Sequence, residues 1–187
     1  MPVSTLDPKT ALLIIDLQKG IVTFPTAHPI GPVVQHAAAL AEAFRRHGLP
    51  VVLVNVTGGA PGRAEQARKL DALPADWAEL VPELKQQSQD HLVSKRTWGA
   101  FTGTGLDAYL KNLGVTQLVI AGVSTSIGVE STARQAYEHG FNVTLALDAM
   151  TDINAEAHEN SVTRIFPRLG ERGNSQEIIA LLDSSRQ

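Results

Sequence analysis

Apolar positions along this chain follow two alternating rhythms. Unbroken, largely β-branched runs cover residues 11–15, 50–56, 117–121 and 142–147, with a shorter one at 91–94. Runs of that length read as strands buried on both faces, as in a parallel sheet. Between them the apolar positions fall three and four apart, which predicts helices. One helix is predicted over 33–47, with apolar residues at 33, 37, 40, 41 and 44 and a stop at Gly48. Another has them at 106, 109, 110 and 113, with Thr104 as a cap and Gly114 as its end. A third starts at Val129, uses positions 129, 132, 133, 136 and 137, and closes at Gly140. A fourth is predicted over 154–169, with Pro167 limiting it. Asn174 and Glu177 have the spacing of a capping box in front of a last helix carrying Ile178, Ile179, Leu181 and Leu182. A weak strand is expected between Leu169 and Asn174. Alternating strands and helices predict one α/β domain over 1–187, a three-layer Rossmann-like sandwich around a mostly parallel sheet of about six strands.

Residues 57–90 break the rhythm. Gly58, Gly59, Pro61 and Gly62 form a loop, and a short helix is predicted around 75–84. A segment of this size carries specificity or a subunit contact in many folds. Arg63 and Arg68 within it are candidates to face an anion, or are solvated surface cations.

Composition removes whole classes of function. A formal net charge of −3 gives no electrostatic support for nucleic acid. No apolar run approaches a membrane span and the start of the chain has no signal-peptide pattern, so the expectation is a cytoplasmic protein. Cysteine is absent, which excludes a disulfide, a thiolate metal site and a thiol nucleophile. The six histidines show no metal-ligand spacing, and no Gly-rich phosphate motif is present. Neither a metal nor an organic cofactor is expected.

Three strand ends hold the candidate chemistry. Asp16 closes the first run, with Gln18 two residues on; a carboxylate there suits an open α/β site, or simply caps a turn. Lys95-Arg96-Thr97-Trp98-Gly99-Ala100-Phe101 puts two cations beside two aromatics just past the short run at 91–94. Lys95 there could hold a carboxylate or tune an acid, or be a surface lysine. After Gly122 come Val123, Ser124, Thr125, Ser126, Ile127 and Gly128, a small-residue turn into a helix. Such a turn presents backbone N–H groups and the positive end of a helix dipole, fit for a developing negative charge. An ordinary loop with Ser126 as N-cap is the alternative. Residues 24–32 are proline-rich, and Phe24 is a candidate wall.

Together these segments resemble the isochorismatase-like (cysteine hydrolase) superfamily. The resemblance rests on 12–18 (Leu-Leu-Ile-Ile-Asp-Leu-Gln), 95–101, 121–134 and Asp148-Ala149, and runs from about residue 10 to about 183. It implies a six-stranded parallel sheet, a homo-oligomer of two or more chains, a small-molecule substrate, and a cis peptide between Val123 and Ser124. It also implies that Asp16 and Lys95 are the polar catalytic residues. Most members carry a cysteine at the position of Gly128, as the nicotinamidases do; this chain resembles the branch with glycine there. True isochorismatases also have glycine, and hydrolyse a vinyl ether without an enzyme nucleophile. The stretch Arg96-Thr97-Trp98-Gly99 departs from their Trp-Arg-Tyr-Ser.

The implied site is Asp16, Lys95 and Gly128, with Gln18, Phe24, Trp98, Phe101, Val123, Ser124, Thr125 and Ile127 around the substrate. Gly128 has no side chain to attack with, which closes the acyl-enzyme route. The expected reaction is hydrolysis of a small, enol-ether-like acid without a covalent intermediate, with Asp16 as general acid. Burial would raise the Asp16 pKa and Lys95 would lower it, and the sequence leaves the balance open. Ser124 or Ser126 as a nucleophile is a second possibility, and a silent small-molecule binding protein on the same fold a third.

Overall fold

The computed structural model describes residues 2–66 and 73–185; Arg68 lies outside them. Six strands, β1 (Thr10–Ile15), β2 (Val51–Val56), β3 (His91–Lys95), β4 (Gln117–Val123), β5 (Asn142–Thr151) and β6 (Glu171–Gly173), form one sheet. Every pairing is parallel and the order is β3-β2-β1-β4-β5-β6. The helices are α1 (Lys19–Val22), α2 (Ile30–Arg46), α3 (Leu106–Asn112), α4 (Glu130–Glu138), α5 (Ala155–Asn160) and α6 (Ser175–Ser185). The expected α/β class is the observed one.

Strand alternation splits the core in two. Leu12 and Ile14 face one layer, where Leu40, Phe44, Ile178 and Leu182 come from α2 and α6. Ala11, Leu13 and Ile15 face the other, against Leu106, Leu110, Ala133 and Ala136 from α3 and α4. All six β1 residues are buried, which is why that run shows no polar alternation.

Several boundaries differ from the sequence reading, each for a local reason. β4 does not break at Gly122 but runs through it. Gly122 has φ 117°, and a Cβ there would collide with the Ile15 carbonyl, so glycine permits the close approach of β1 and β4. β5 does not end at Asp148; it bulges past Ala146 and continues to Thr151. Asp148 instead accepts hydrogen bonds from Ser175 N (2.7 Å) and Ser175 Oγ (2.6 Å), fixing the start of α6. The fourth predicted helix is three pieces: α5, a π-helical turn at Ser161–Ile165, and a 3-10 turn at Phe166–Arg168 containing Pro167. Helix α2 starts earlier than predicted, because Pro32 falls in a first turn that needs no N–H from it. In place of a helix at 75–84 there is only a 3-10 turn at Pro82–Leu84. The Asn174–Glu177 capping box forms as read, with reciprocal bonds of 2.8 and 2.9 Å. The weak strand is present as edge strand β6.

Candidate active site

The chain runs from β1 outward through β2 to β3, then returns to lay β4 on the other side of β1. In open α/β sheets such a switch point, where the loops at the carboxyl ends of the strands diverge, is where ligands bind. Asp16 lies at the end of β1 and Gly128 in the turn after β4, on the two sides of it.

Asp16 leaves the strand in the left-handed region, φ 52°, which a short polar side chain tolerates. It is 6% exposed and Lys95 2% exposed. Lys95, the last residue of β3, reaches past the end of β2 and donates to Asp16 Oδ2 at 2.7 Å and to the Thr97 carbonyl at 3.2 Å. Asp16 Oδ1 is buried and has no hydrogen-bond partner among the described residues. Burial pushes the carboxyl up to about 6, although the Lys95 cation and its hydrogen bond pull the other way. The balance left open by the sequence therefore falls to burial. A buried, half-satisfied acid near the switch point is suited to move a proton near neutral pH.

The third component is the turn. The Val123–Ser124 peptide is cis. Thr125–Val129 then forms a π-helical turn that leads into α4, so the helix does not begin with Ser126 as its N-cap. Ser126 N and Oγ both donate to Asp152 Oδ2, at 2.7 and 2.8 Å. Gly128 lies against the acid: a Cβ on it would sit 3.1 Å from Asp16 Oδ2 and 3.0 Å from Ile15 Cγ2. Thr132, fully buried on α4, donates to the Gly128 carbonyl (2.7 Å) and accepts from Ala100 N (3.1 Å). It thus ties the turn to the loop that follows Lys95.

The structure brings Asp16, Lys95 and Gly128 together and distributes the surrounding candidates unevenly. Val123 ends β4, and Ser124, Thr125 and Ile127 lie on the turn itself. Gln18 is fully buried and committed to backbone: Oε1 accepts Val56 N at 2.7 Å, and Nε2 donates to the Val56 and Trp77 carbonyls at 3.0 Å each. Its amide fixes the end of β2 rather than offering free groups. Phe101 turns into the core, packing on His139 and Phe141 with centroids 5.1 and 6.1 Å away. Trp98 is 65% exposed. Phe24 is half-buried, edge-on to Trp77 at 5.9 Å. Arg63 is exposed.

Trp77, Thr132 and Asp152 were not singled out by the sequence, and pattern offers little to find them. Trp77 sits in the unreadable 57–90 segment, and its ring lies on Gly20, where a Cβ would collide with it. With Val81 N to the Leu17 carbonyl (3.1 Å) and Lys19 N to the Glu79 carbonyl (2.8 Å), this stitches residues 77–81 along 17–20, directly after Asp16. The only available signal was two aromatics, Phe24 and Trp77, in otherwise polar loops.

The family model for the isochorismatase domain matches residues 10–177, nearly the whole chain. The chain belongs to the isochorismatase family. Isochorismatase-family relatives of similar length include YwoC of Bacillus subtilis (strain 168), described as an uncharacterized isochorismatase family protein, 43% identical over 178 residues. That match covers 91% of this chain and 93% of YwoC. YecD of Escherichia coli O157:H7, of the same description, is 41% identical over 180 residues, covering 92% and 96%. Among solved structures, an isochorismatase family protein from Burkholderia thailandensis superposes with a TM-score of 0.92 at 39% identity, covering 96% of this chain and 98% of that one. The isochorismatase fold and its hydrolase family are thus shared along the full sheet.

Proposed function

We propose that this isochorismatase-family chain hydrolyses a small enol-ether acid of the isochorismate type without a covalent enzyme intermediate, and that Asp16 is the general acid. The observation that carries the reading is the Asp16 carboxyl. It is buried, raised to about 6, and left at the switch point with an Oδ1 unpartnered among the described residues. An acid of that pKa keeps a useful protonated fraction near neutral pH and is strong enough to protonate carbon. The chain has no thiol to form an acyl-enzyme, and Gly128 stands at the position where the family's amidases carry one.

In this mechanism Asp16 delivers its proton to the terminal vinyl carbon, and the ether oxygen stabilises the resulting cation. Water adds to the cationic carbon and loses a proton, returning Asp16 to its acid form directly or through solvent. The hemiketal then collapses, its C–O bond breaking, to pyruvate and the ring alcohol. Lys95 already donates two N–H groups, to Asp16 and to Thr97; its third is available to a substrate carboxylate. The turn amides would face the ligand, while the bare Gly128 lets the turn pack directly against the acid. We further propose one domain for the chain and a homo-oligomer in solution, for which the large exposed Trp98 is a natural contact.

The test is purified protein with isochorismate, pyruvate being read through lactate dehydrogenase and NADH, beside Asp16→Asn. Turnover that falls by about 100-fold or more in the variant is expected of a general acid. Ligand binding retained by both proteins with turnover in neither would replace this reading with that of a small-molecule binding protein.

A further inference from the structure

A second cluster lies at the 124–128 turn. Thr125 is fully buried, and its hydroxyl has one hydrogen-bond partner among the described residues, His158 Nδ1 of α5 at 2.9 Å. The His28 ring stands edge-on to His158, centroids 4.7 Å apart. His28 is itself held by Thr151 Oγ1, through its backbone N at 3.2 Å and Nδ1 at 3.1 Å. Next to it Asp152 accepts Ser126 N and Oγ on Oδ2, and Asn154 N on Oδ1 at 3.1 Å. Its carbonyl accepts Ala27 N at 2.7 Å. Three elements converge on the turn here: the loop before α2, the end of β5, and α5. The same five-residue turn carries Gly128, which abuts Asp16.

The geometry points to His158 as a positioning residue: through the Thr125 hydroxyl it holds the 124–128 turn in place against Asp16. The importance of that for turnover rests on the reading of Asp16 and the turn as the reactive centre. A threonine hydroxyl has one hydrogen to give. With no other hydrogen-bond partner among the described residues, it donates to Nδ1, so the imidazole serves in its neutral form with the proton on Nε2. Protonating Nδ1 would turn the acceptor into a donor and leave the buried hydroxyl hydrogen without a partner. Groups facing the ring from the packed elements are His28 from the loop before α2 and Asp152 just past the end of β5, with Glu159 on its own helix. Burial first, and then His28, hold the imidazole below its usual range, while Asp152 and Glu159 pull upward. Both effects favour the neutral, holding form at neutral pH. On acidification the hold is lost.

The full chain tests this by NMR and kinetics together. The turn is followed in an Asp16→Asn background, which removes that carboxyl's own titration from the record. There the Ile127 and Gly128 amide signals should move with the same midpoint as the His158 ring, whose nitrogen shifts should show the Nε2–H tautomer. Thr125→Val and His158→Phe should each abolish that pH response and speed exchange of the turn amides by about tenfold. With Asp16 intact, each should lower kcat by about tenfold, with a smaller effect on KM. His158→Asn, whose Oδ1 occupies the place of Nδ1, should restore most of the rate without the pH response. The double variant Thr125→Val/His158→Phe should be no worse than either single change. Turn amides indifferent to both changes, or His158→Asn as slow as His158→Phe, would overturn the assignment. Turn amides that respond as expected in a protein with no Asp16-dependent turnover would support the hold on the turn and sink the reading of the reaction instead.

Discussion

Asp16 is subject to two opposing influences, and their balance sets how rate should depend on pH. Removal from water favours the neutral acid; the Lys95 ammonium 2.7 Å away favours the carboxylate. Burial dominates, and the proton is held up to about pH 6. A general acid must be protonated to act, so kcat/KM should fall tenfold per unit above that pH, and in His158→Asn, which has no imidazole to protonate, it should be flat below it. A profile that instead rises through pH 6 would make Asp16 a base. Gly128 is the second residue where scale matters. A methyl group there would meet Ile15 Cγ2 at 3.0 Å, Asp16 Oδ2 at 3.1 Å and the Val123 carbonyl at 3.4 Å. These are close enough to demand small shifts of the acid and the strand, but not a rebuilt core. Gly128→Ala should therefore cost about 1 kcal/mol of stability in a denaturant titration. Its effect on turnover should be larger, at least about tenfold, since the crowded group is the acid itself.

At the scale of elements, the parts easiest to read were those whose burial is uniform. β1, β2, α2 and α6 show their character in five or six consecutive positions, because a strand covered on both faces or a helix with one covered face repeats a rule. The capping box at Asn174 was legible because it is local, two side chains three residues apart. What stayed hidden depends on residues distant in sequence. Gly122 looks like a strand breaker until Ile15 is seen pressed against it, and Asp148 looks like a strand end until Ser175 is seen to need it. The site was legible in part for the same reason. Asp16, Lys95 and Gly128 sit at strand ends and in a recognisable block, whereas the roles of Gln18 and Phe101 are decided by partners elsewhere in the chain. The 57–90 segment is the extreme case, since most of the bonds of its described residues go to other elements. Arg45 on α2 makes a two-point contact with Asp90, Nε at 3.0 Å and Nη2 at 2.7 Å, and a third bond to the Leu84 carbonyl. The Asp90 side chain is fully buried. Arg45→Met leaves that carboxylate without its cation and should cost about 3–5 kcal/mol. A loss below about 1 kcal/mol, read from urea midpoints, would show that solvent reaches Asp90 and replaces the guanidinium.

For the molecule as a whole, the acid at the switch point is a liability that the rest of the fold carries. The folded chain binds the Asp16 proton more tightly than the unfolded chain, about 6 against 3.8. Between those values the native state holds more protons, so stability falls as pH rises through the window. The full difference is on the order of 3 kcal/mol, reached above pH 6 and absent below pH 4. Such a loss is a sizeable part of what a domain has to spare, and nothing in the packing of the two core layers requires it. Asparagine removes the titration while keeping the shape and an oxygen for Lys95. The stability of Asp16→Asn relative to the parent should therefore grow with pH, by about 3 kcal/mol between pH 4 and pH 7. A constant offset from the altered Lys95 contact drops out of that difference. Denaturant midpoints of the two proteins at four or five pH values measure it directly. A gap that stays level across the window would mean that Lys95 fully compensates for burial, and Asp16 would then be ionised at neutral pH and unfit to donate a proton to carbon.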